Sequence, residues 1–200
     1  ASAQQASVVL DARDETATLT VATPLPRGPI EIRITYTGTL NDQLRGFYLS
    51  KANNRNYAIT QFESTDARRA FPCFDEPDFK ATFAVKLTIA RGDTAVSNGR
   101  IVSDTPGPGP AQHTLTFSTS PKMSAYLVAM AVGDCECLQA TTDNIPIRIC
   151  ATPDKKDLGR IALESAQQIL AFYNRYFTIT YPFSKLDVLA LQVVTVGPYV

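Results

Sequence analysis

The chain has 200 residues, of which 44% are hydrophobic and 19% are charged, a balance typical of a globular protein that buries a sizeable core. Nineteen basic and nineteen acidic side chains cancel, which argues against nucleic acid as a partner because such binding needs a basic patch. No apolar run in the sequence approaches the roughly 18 residues of a membrane-spanning helix.

The first 150 residues are predicted to form strands almost throughout. Residues 30–36 alternate between isoleucine or tyrosine on one face and polar side chains on the other, and residues 80–93 alternate in the same way. Asn98-Gly99 is a strong turn signal, and the apolar run 123–133 has the length of a buried strand. Because no helical pattern separates these runs, the sequence predicts a mainly β domain, an antiparallel sheet or sandwich.

The segment DARRAFPCFDEPDFKATF, residues 66–83, is dense in acids, bases and aromatic side chains. Opposite charges this close in a chain can pair or bond turn amides, and two prolines restrict the loop. We therefore predict a structural scaffold. A calcium loop through Asp75, Glu76 and Asp78 is the alternative, but it lacks the glycine and the ligand spacing of calcium loops.

Three of the four cysteines lie together in DCECLQATTDNIPIRIC, which is predicted to be a hairpin with its turn near Thr142-Asp143. That turn places Cys135 opposite Cys150. A cross-strand disulfide there would indicate an oxidising compartment, and buried free thiols are an equal alternative. A zinc site that also recruits Cys73 is disfavoured, because C-x-C departs from the usual zinc spacing.

The pattern changes near residue 153. Pro153 and Asp154 are a helix start signal, and apolar side chains then recur near 3.6-residue spacing. The residues on this stripe are Leu158, Ile161, Ala162, Ser165, Ile169, Tyr173 and Tyr176. A strand follows in YPFSKLDVLAL, and one helix with one strand cannot close a core. We therefore divide the chain into a β-domain, residues 1–152, and the start of a second unit, residues 153–200.

The only histidine of the sequence, His113, follows a run of glycine and proline and is expected to be a solvated loop or strand-start residue. Serine hydrolases need a well-placed imidazole, and catalytic zinc usually takes two or three. The sequence therefore predicts no histidine-dependent catalysis by this chain alone.

From TQFESTDARRAFPCFDEPDFKATF onward the chain resembles the aminopeptidase N family of gluzincin zinc metallopeptidases, peptidase family M1. The similarity continues in the family's order through SNG, FSTSPKMSAYLVAMAVG and ALESAQQILAFYNRYFTITYPFSKLDVLAL, and backward to YTGTLNDQLRGFYLS. The resemblance implies a saddle-shaped N-terminal β-domain that covers a thermolysin-like catalytic domain, so residues 153–200 would begin a truncated catalytic domain. The family usually has further strands before ASVVLDARDE, and the front strands are therefore expected to be missing.

Gln61 and Glu63 lie immediately before the charged segment. On a strand their side chains leave the same face as Tyr57 and Ile59, with Phe62 opposite. That face changes from apolar to polar, as expected where the edge of a core opens onto a cleft. By themselves these residues would be interpreted as a solvated strand end. The resemblance implies that both line the first specificity subsite and that Glu63 binds the free α-ammonium group of a peptide substrate.

Two features of the family do not occur in this sequence. The zinc motif, His-Glu-x-x-His with a distant glutamate, is absent, and so is the Gly-x-Met-Glu-Asn loop. After Leu191 the sequence reads QVVTVGPYV, where the family runs toward that loop. The resemblance therefore implies zinc in the full-length parent, whereas these 200 residues are expected to hold no metal ligand and no catalytic residue and to be inactive alone.

The leading hypothesis is the substrate-anchoring N-terminal domain of a zinc metalloaminopeptidase. Its partners would be a peptide with a free N-terminus and the chain's own downstream catalytic domain. The alternative is a non-catalytic β-sandwich module that binds peptides or another protein. A His-Glu-x-x-His sequence encoded shortly downstream would favour the peptidase, and a stop codon would favour the binding module.

Overall fold

The computed structural model describes residues 3–52 and 54–191, and this part of the chain is mainly β-structure. Within it, fourteen strands follow one another. They are β1 (Ser7–Asp11), β2 (Thr16–Thr20), β3 (Gly46–Ala52), β4 (Arg55–Gln61), β5 (Lys80–Ala81), β6 (Lys86–Ala90), β7 (Thr94–Ser97), β8 (Ile101–Pro106), β9 (Gln112–Phe117), β10 (Met123–Ser124), β11 (Met130–Gly133), β12 (Glu136–Thr142), β13 (Ile145–Ala151) and β14 (Leu186–Ala190). An 18-residue helix, α1 (Arg160–Phe177), lies between β13 and β14.

The strands build one four-stranded sheet, two three-stranded sheets and two hydrogen-bonded pairs. The four-stranded sheet has the order β3-β4-β11-β7, and the three-stranded sheets have the orders β6-β9-β8 and β12-β13-β14. β1 pairs with β2, and β5 pairs with β10. Among these described strands every pairing is antiparallel except that of β13 with β14. The predicted antiparallel, mainly β fold with one helix and one strand after it is confirmed.

The apolar run 123–133 is not the single buried strand that the sequence predicted. Met123–Ser124 pairs with β5, whereas Met130–Gly133 pairs with β4 and β7 in another sheet. A 3-10 turn at Ala125–Leu127 joins the two pieces. One straight strand cannot hydrogen-bond to two separate sheets, so the chain turns at the point where it changes sheets. This turn forms one wall of the candidate site.

Residues 30–36 are not assigned to a strand, in contrast to the prediction from their alternation. Ile30, Ile32, Ile34 and Tyr36 are each about half exposed. Alternation specifies which face of a strand is apolar, but a strand also needs a hydrogen-bonding neighbour. The described residues provide no such neighbour for this segment.

The charged segment 66–83 is a scaffold held by ion pairs, as predicted. The buried Asp75 accepts hydrogen bonds from the backbone N–H of Arg68 at 2.9 Å and from its Nε at 3.1 Å. Asp66 accepts from Arg69 Nε at 2.7 Å. Burial alone would raise the pKa of Asp66, but the hydrogen bonds that two arginine side chains donate to this carboxylate outweigh burial and lower its pKa below the ordinary value.

The cysteine hairpin forms, but its disulfide joins Cys137 to Cys150, not Cys135 to Cys150. The two-residue turn is Asp143-Asn144, one position later than predicted, and this moves the register by two residues. Both turn residues have positive φ, 49° and 63°. Asp and Asn tolerate that conformation far better than a β-branched threonine, which explains the position of the turn.

Cys73 and Cys135 are free thiols, and burial raises the pKa of each to about 11. We expect alkylation in denaturant to label two thiols before reduction and all four after it, as measured by intact mass. Because the disulfide closes a loop with a sequence separation of 13, its removal should cost about 3 kcal/mol of unfolding free energy. Four labelled thiols before reduction would contradict the pairing.

α1 packs on the β12-β13-β14 sheet through a face other than the predicted stripe. Leu170 is buried together with Ile147 and Ile149 of β13, and Leu163 and Ala166 pack against this cluster. The predicted stripe is instead largely solvent-exposed. Its exposed large side chains are Leu158, Ile161, Ile169, Tyr173 and Tyr176. The helix is apolar on two sides, so spacing predicts the helix but not the face that is buried.

The division of the chain at residue 152 stays a prediction, and the tail after Leu191 lies outside the described residues. One sheet extends across residue 152, because β13 before it pairs in parallel with β14 after it. The pairing sets Ile147 opposite Leu186. In the described part of the chain no helix is long and apolar enough to cross a membrane.

Candidate functional site

A pocket of about 220 Å³ opens where β4 ends. Residues 60–63 form one side of it, and residues 126–129, from the 3-10 turn onward, form the other. The pocket therefore includes both Gln61 and Glu63, the two residues that the sequence singled out.

The two walls of this pocket are antiparallel segments that separate. β4 and β11 are paired at Ala58 and Ile59, opposite Val132 and Ala131. At the next position the Thr60 hydroxyl replaces the backbone ladder: it accepts from the N–H of Met130 at 2.8 Å and donates to its carbonyl at 3.3 Å. Beyond this side-chain bridge the pocket opens.

Phe62 anchors the segment that carries Gln61 and Glu63. Its side chain is 2% exposed and belongs to a core cluster with Met123 and Val128. Phe71, from the charged segment, meets Phe62 edge to face with ring centroids 5.8 Å apart. The scaffold of residues 66–83 therefore packs against the buried side of this segment. Because Phe62 points into the core, Gln61 and Glu63 on either side of it point the other way.

Along β4 and the two residues that follow it, the burial changes as the sequence predicted. Tyr57 is fully buried and Ile59 is partly buried, whereas Gln61 and Glu63 are exposed at the pocket. Within the described residues no hydrogen bond or ion pair engages the side chain of Gln61 or Glu63. The peptide bond that follows Glu63 is cis. The arrangement thus presents an uncompensated carboxylate at the edge of a pocket.

The opposite wall was not recognised in the sequence. Leu127 and Ala129 are exposed there, Val128 is buried, and Tyr126 is partly buried. The run MSAYLVAMAVG reads as one continuous apolar strand, and its alternation contains no signal for the change of sheets that creates this wall. The antiparallel pairing of β4 with β11 has no local sequence signature, because it joins residues about 70 positions apart.

The other chemically active side chains lie elsewhere. His113 lies on β9 and is not fully solvated, because its Nδ1 lies 2.9 Å from a carboxylate oxygen of Asp104. Over residues 3–52 and 54–191, no group of three or more His, Cys, Asp or Glu side chains could hold a metal ion. The described residues therefore do not fit a zinc site.

The chain is similar to known peptidases over most of its length. The family model of the peptidase M1 N-terminal domain matches residues 1–127. The chain is 42% identical over 187 residues to the puromycin-sensitive aminopeptidase of Caenorhabditis elegans. The aligned residues are 90% of this chain and 20% of that protein. It is 35% identical over 192 residues to aminopeptidase N of Acetobacter pasteurianus, covering 94% of the chain and 54% of that protein.

A third relative is the alanine/arginine aminopeptidase of Saccharomyces cerevisiae, 40% identical over 173 residues, which cover 84% of the chain and 20% of that protein. The chain thus spans between a fifth and about half of the length of these relatives. This chain belongs to the peptidase M1 family and carries its N-terminal domain.

Proposed function

We propose that this chain is the substrate-anchoring N-terminal part of a zinc metalloaminopeptidase that removes N-terminal residues from peptides. In this proposal Glu63 binds the free α-ammonium group of the peptide, and Gln61 lines the subsite for the first residue. The observation that supports it most directly is the carboxylate of Glu63, which lies at the pocket without a partner among the described residues. The relatives, which are named aminopeptidases and are longer than the chain, support the larger assembly.

The chemistry of such a site follows from charge and geometry. A carboxylate and an ammonium group form a charge-assisted hydrogen bond, roughly twice as strong as a neutral one. A site that anchors the first ammonium group fixes the position of the first peptide bond, and this arrangement favours removal of one residue at a time.

The hydrolytic step itself belongs to residues outside the described part of the chain. The side chains of residues 3–52 and 54–191 do not fit zinc, so we assign none of them a metal-binding or catalytic role. We expect the purified 200-residue chain to release no nitroaniline from an aminoacyl-nitroanilide. Turnover that a chelator abolishes would contradict this part of the proposal.

Binding of a free amine can be tested on the chain directly. We expect leucyl-glycinamide to shift the NMR signals of residues 60–63 and 126–129, with a dissociation constant of about 1 mM, because one contact in an open pocket binds weakly. The N-acetylated peptide should shift them much less. Glu63→Gln keeps the shape but removes the charge, and should abolish the preference for the free amine.

Glu164→Gln is the matched control, because Glu164 is an exposed glutamate on α1, away from the pocket. It should leave both titrations unchanged. Equal binding of the free and the acetylated peptide by the wild-type chain would reject the amine-anchoring role and would favour the non-catalytic peptide-binding module.

A further inference from the structure

The tripeptide Ser97-Asn98-Gly99 does more than form the turn that its sequence predicts. The carbonyl of Ser97 accepts a hydrogen bond from Lys185 Nζ at 2.6 Å. A side chain at Gly99 would collide with the carbonyl of Ser118, so this close approach requires glycine. Between these two constrained positions Asn98 directs its amide toward the wall of the pocket.

Asn98 holds this wall with two hydrogen bonds of complementary direction. Its Nδ2 donates to the carbonyl of Leu127 at 2.8 Å, and its Oδ1 accepts from the N–H of Ala129 at 2.8 Å. The side-chain amide thereby takes the place of a neighbouring strand for a segment that has just left one sheet and not yet joined the next. Thr60 bonds the following residue, Met130. The wall is thus fixed from two directions.

Among the residues that line the pocket, Leu127 is the large apolar residue that is exposed. It is 46% exposed, so its main-chain position and not core packing fixes its location. It belongs to the wall formed by residues 126–129, whereas Glu63 belongs to the wall formed by residues 60–63. A peptide whose ammonium group binds Glu63 would direct its first side chain toward this wall.

We propose that Asn98 is a positioning residue that holds Leu127 as the specificity-determining wall for the first side chain of the substrate, which is thereby selected to be apolar. The proposal rests on the amine-anchoring role of Glu63. The two roles are separable: Glu63 recognises the charge that all free N-termini share, and Leu127 distinguishes one first residue from another. Loss of the Asn98 amide leaves the Glu63 carboxylate in place but removes the two hydrogen bonds that hold Leu127 and Ala129.

The test compares the dissociation constants of leucyl-glycinamide and glycyl-glycinamide, measured by NMR titration of the full 200-residue chain. The wild-type chain should bind the leucyl peptide about tenfold more tightly, as expected when an apolar side chain is partly buried. Asn98→Ala should reduce this ratio to about twofold or less, yet keep the preference for free over acetylated leucyl-glycinamide.

Leu127→Ala provides a second, independent variant, because an exposed side chain can be shortened with little effect on folding. It should reduce the leucyl-to-glycyl ratio as Asn98→Ala does. Asn56→Ala, which removes an exposed asparagine from β4, is the control and should keep the wild-type ratio. Glu63→Gln should lose the preference for the free amine and keep the leucyl preference.

The outcomes separate this inference from the function on which it rests. If the wild-type chain prefers the free amine but shows no leucyl preference, or if Leu127→Ala keeps that preference, the assigned wall is wrong and Glu63 keeps its role. If Leu127→Ala removes the preference and a folded Asn98→Ala does not, the positioning role is wrong. If the wild-type chain does not distinguish free from acetylated peptide, the amine-anchoring function itself is wrong.

Discussion

Replacing Asp187 with alanine is expected to lower the free energy of unfolding by about 3–5 kcal/mol, the cost of leaving buried opposite charges without their partner. The Asp187 side chain is only 4% exposed. It accepts hydrogen bonds from Arg148 Nε at 2.7 Å and Nη2 at 2.9 Å, and it also contacts Lys185 Nζ. Its removal leaves the guanidinium group of Arg148 and the ammonium group of Lys185 without their anionic partner.

The pKa values of Lys185 and Asp187 show which of the two charged forms the cluster stabilises. Burial lowers the pKa of Lys185, and the hydrogen bond to Asp187 offsets only part of that effect. For Asp187 burial alone would raise the pKa, but hydrogen bonds from Arg148 and Lys185 outweigh it, and the pKa lies below its ordinary value. The carboxylate is therefore stabilised in its charged form, and the lysine depends on it.

The sign of the pH dependence follows from that lowered pKa. A carboxyl group with a lower pKa in the folded state contributes stability that is fully present above its unfolded pKa and is lost as pH falls through its folded pKa. The difference in unfolding free energy between the wild type and Asp187→Ala should therefore be constant near neutral pH. It should shrink at pH values below the ordinary pKa of 3.8.

Urea unfolding at pH 7 and at acidic pH measures both effects. Asp157→Ala is the matched control, because Asp157 pairs with Arg160 at 2.9 Å while its side chain is 75% exposed. An exposed pair of this kind contributes about 1 kcal/mol or less. If the two variants lose equal stability, the Asp187 cluster is screened by solvent and the buried-charge argument is wrong.

Local patterns in the sequence were sufficient for the mainly β fold and for the exposed positions of Gln61 and Glu63, but not for residues 30–36, which form no strand. Alternation depends only on neighbouring residues, and a two-residue spacing necessarily places both side chains on one side of Phe62. The scaffold of residues 66–83 could also be predicted, because its central pair, Arg68 and Asp75, is only seven residues apart.

Interactions between distant segments could not be predicted in this way. The change of sheets at Ala125–Leu127 depends on which strands receive the chain on either side, and no residue of the turn encodes that choice. The buried face of α1 depends on β13, because the helix carries apolar side chains on two sides. The partner of Cys150 was predicted wrongly because the turn lies one residue later than expected. This shift places Cys137, and not Cys135, opposite Cys150.

In the longer aminopeptidase that we propose, Glu63→Ala is expected to lower kcat/KM for free-amine substrates by about 30- to 1000-fold. The range corresponds to about 2–4 kcal/mol, the cost of losing a charge-assisted contact when the partner charge is left buried. In the 200-residue chain the pocket is open to water, which weakens the same contact. The effect should therefore be much larger where a second domain covers the pocket.

Kinetics with an aminoacyl-nitroanilide separate two roles of the carboxylate. If Glu63 only binds the ammonium group, KM should rise and kcat should stay constant, whereas positioning of the first peptide bond would also lower kcat. Glu63→Gln isolates the charge, because it keeps the size of the side chain and a hydrogen-bond acceptor. Glu164→Ala on α1 is the control, and kcat/KM for Glu63→Ala equal to that of this control would exclude Glu63 from substrate binding.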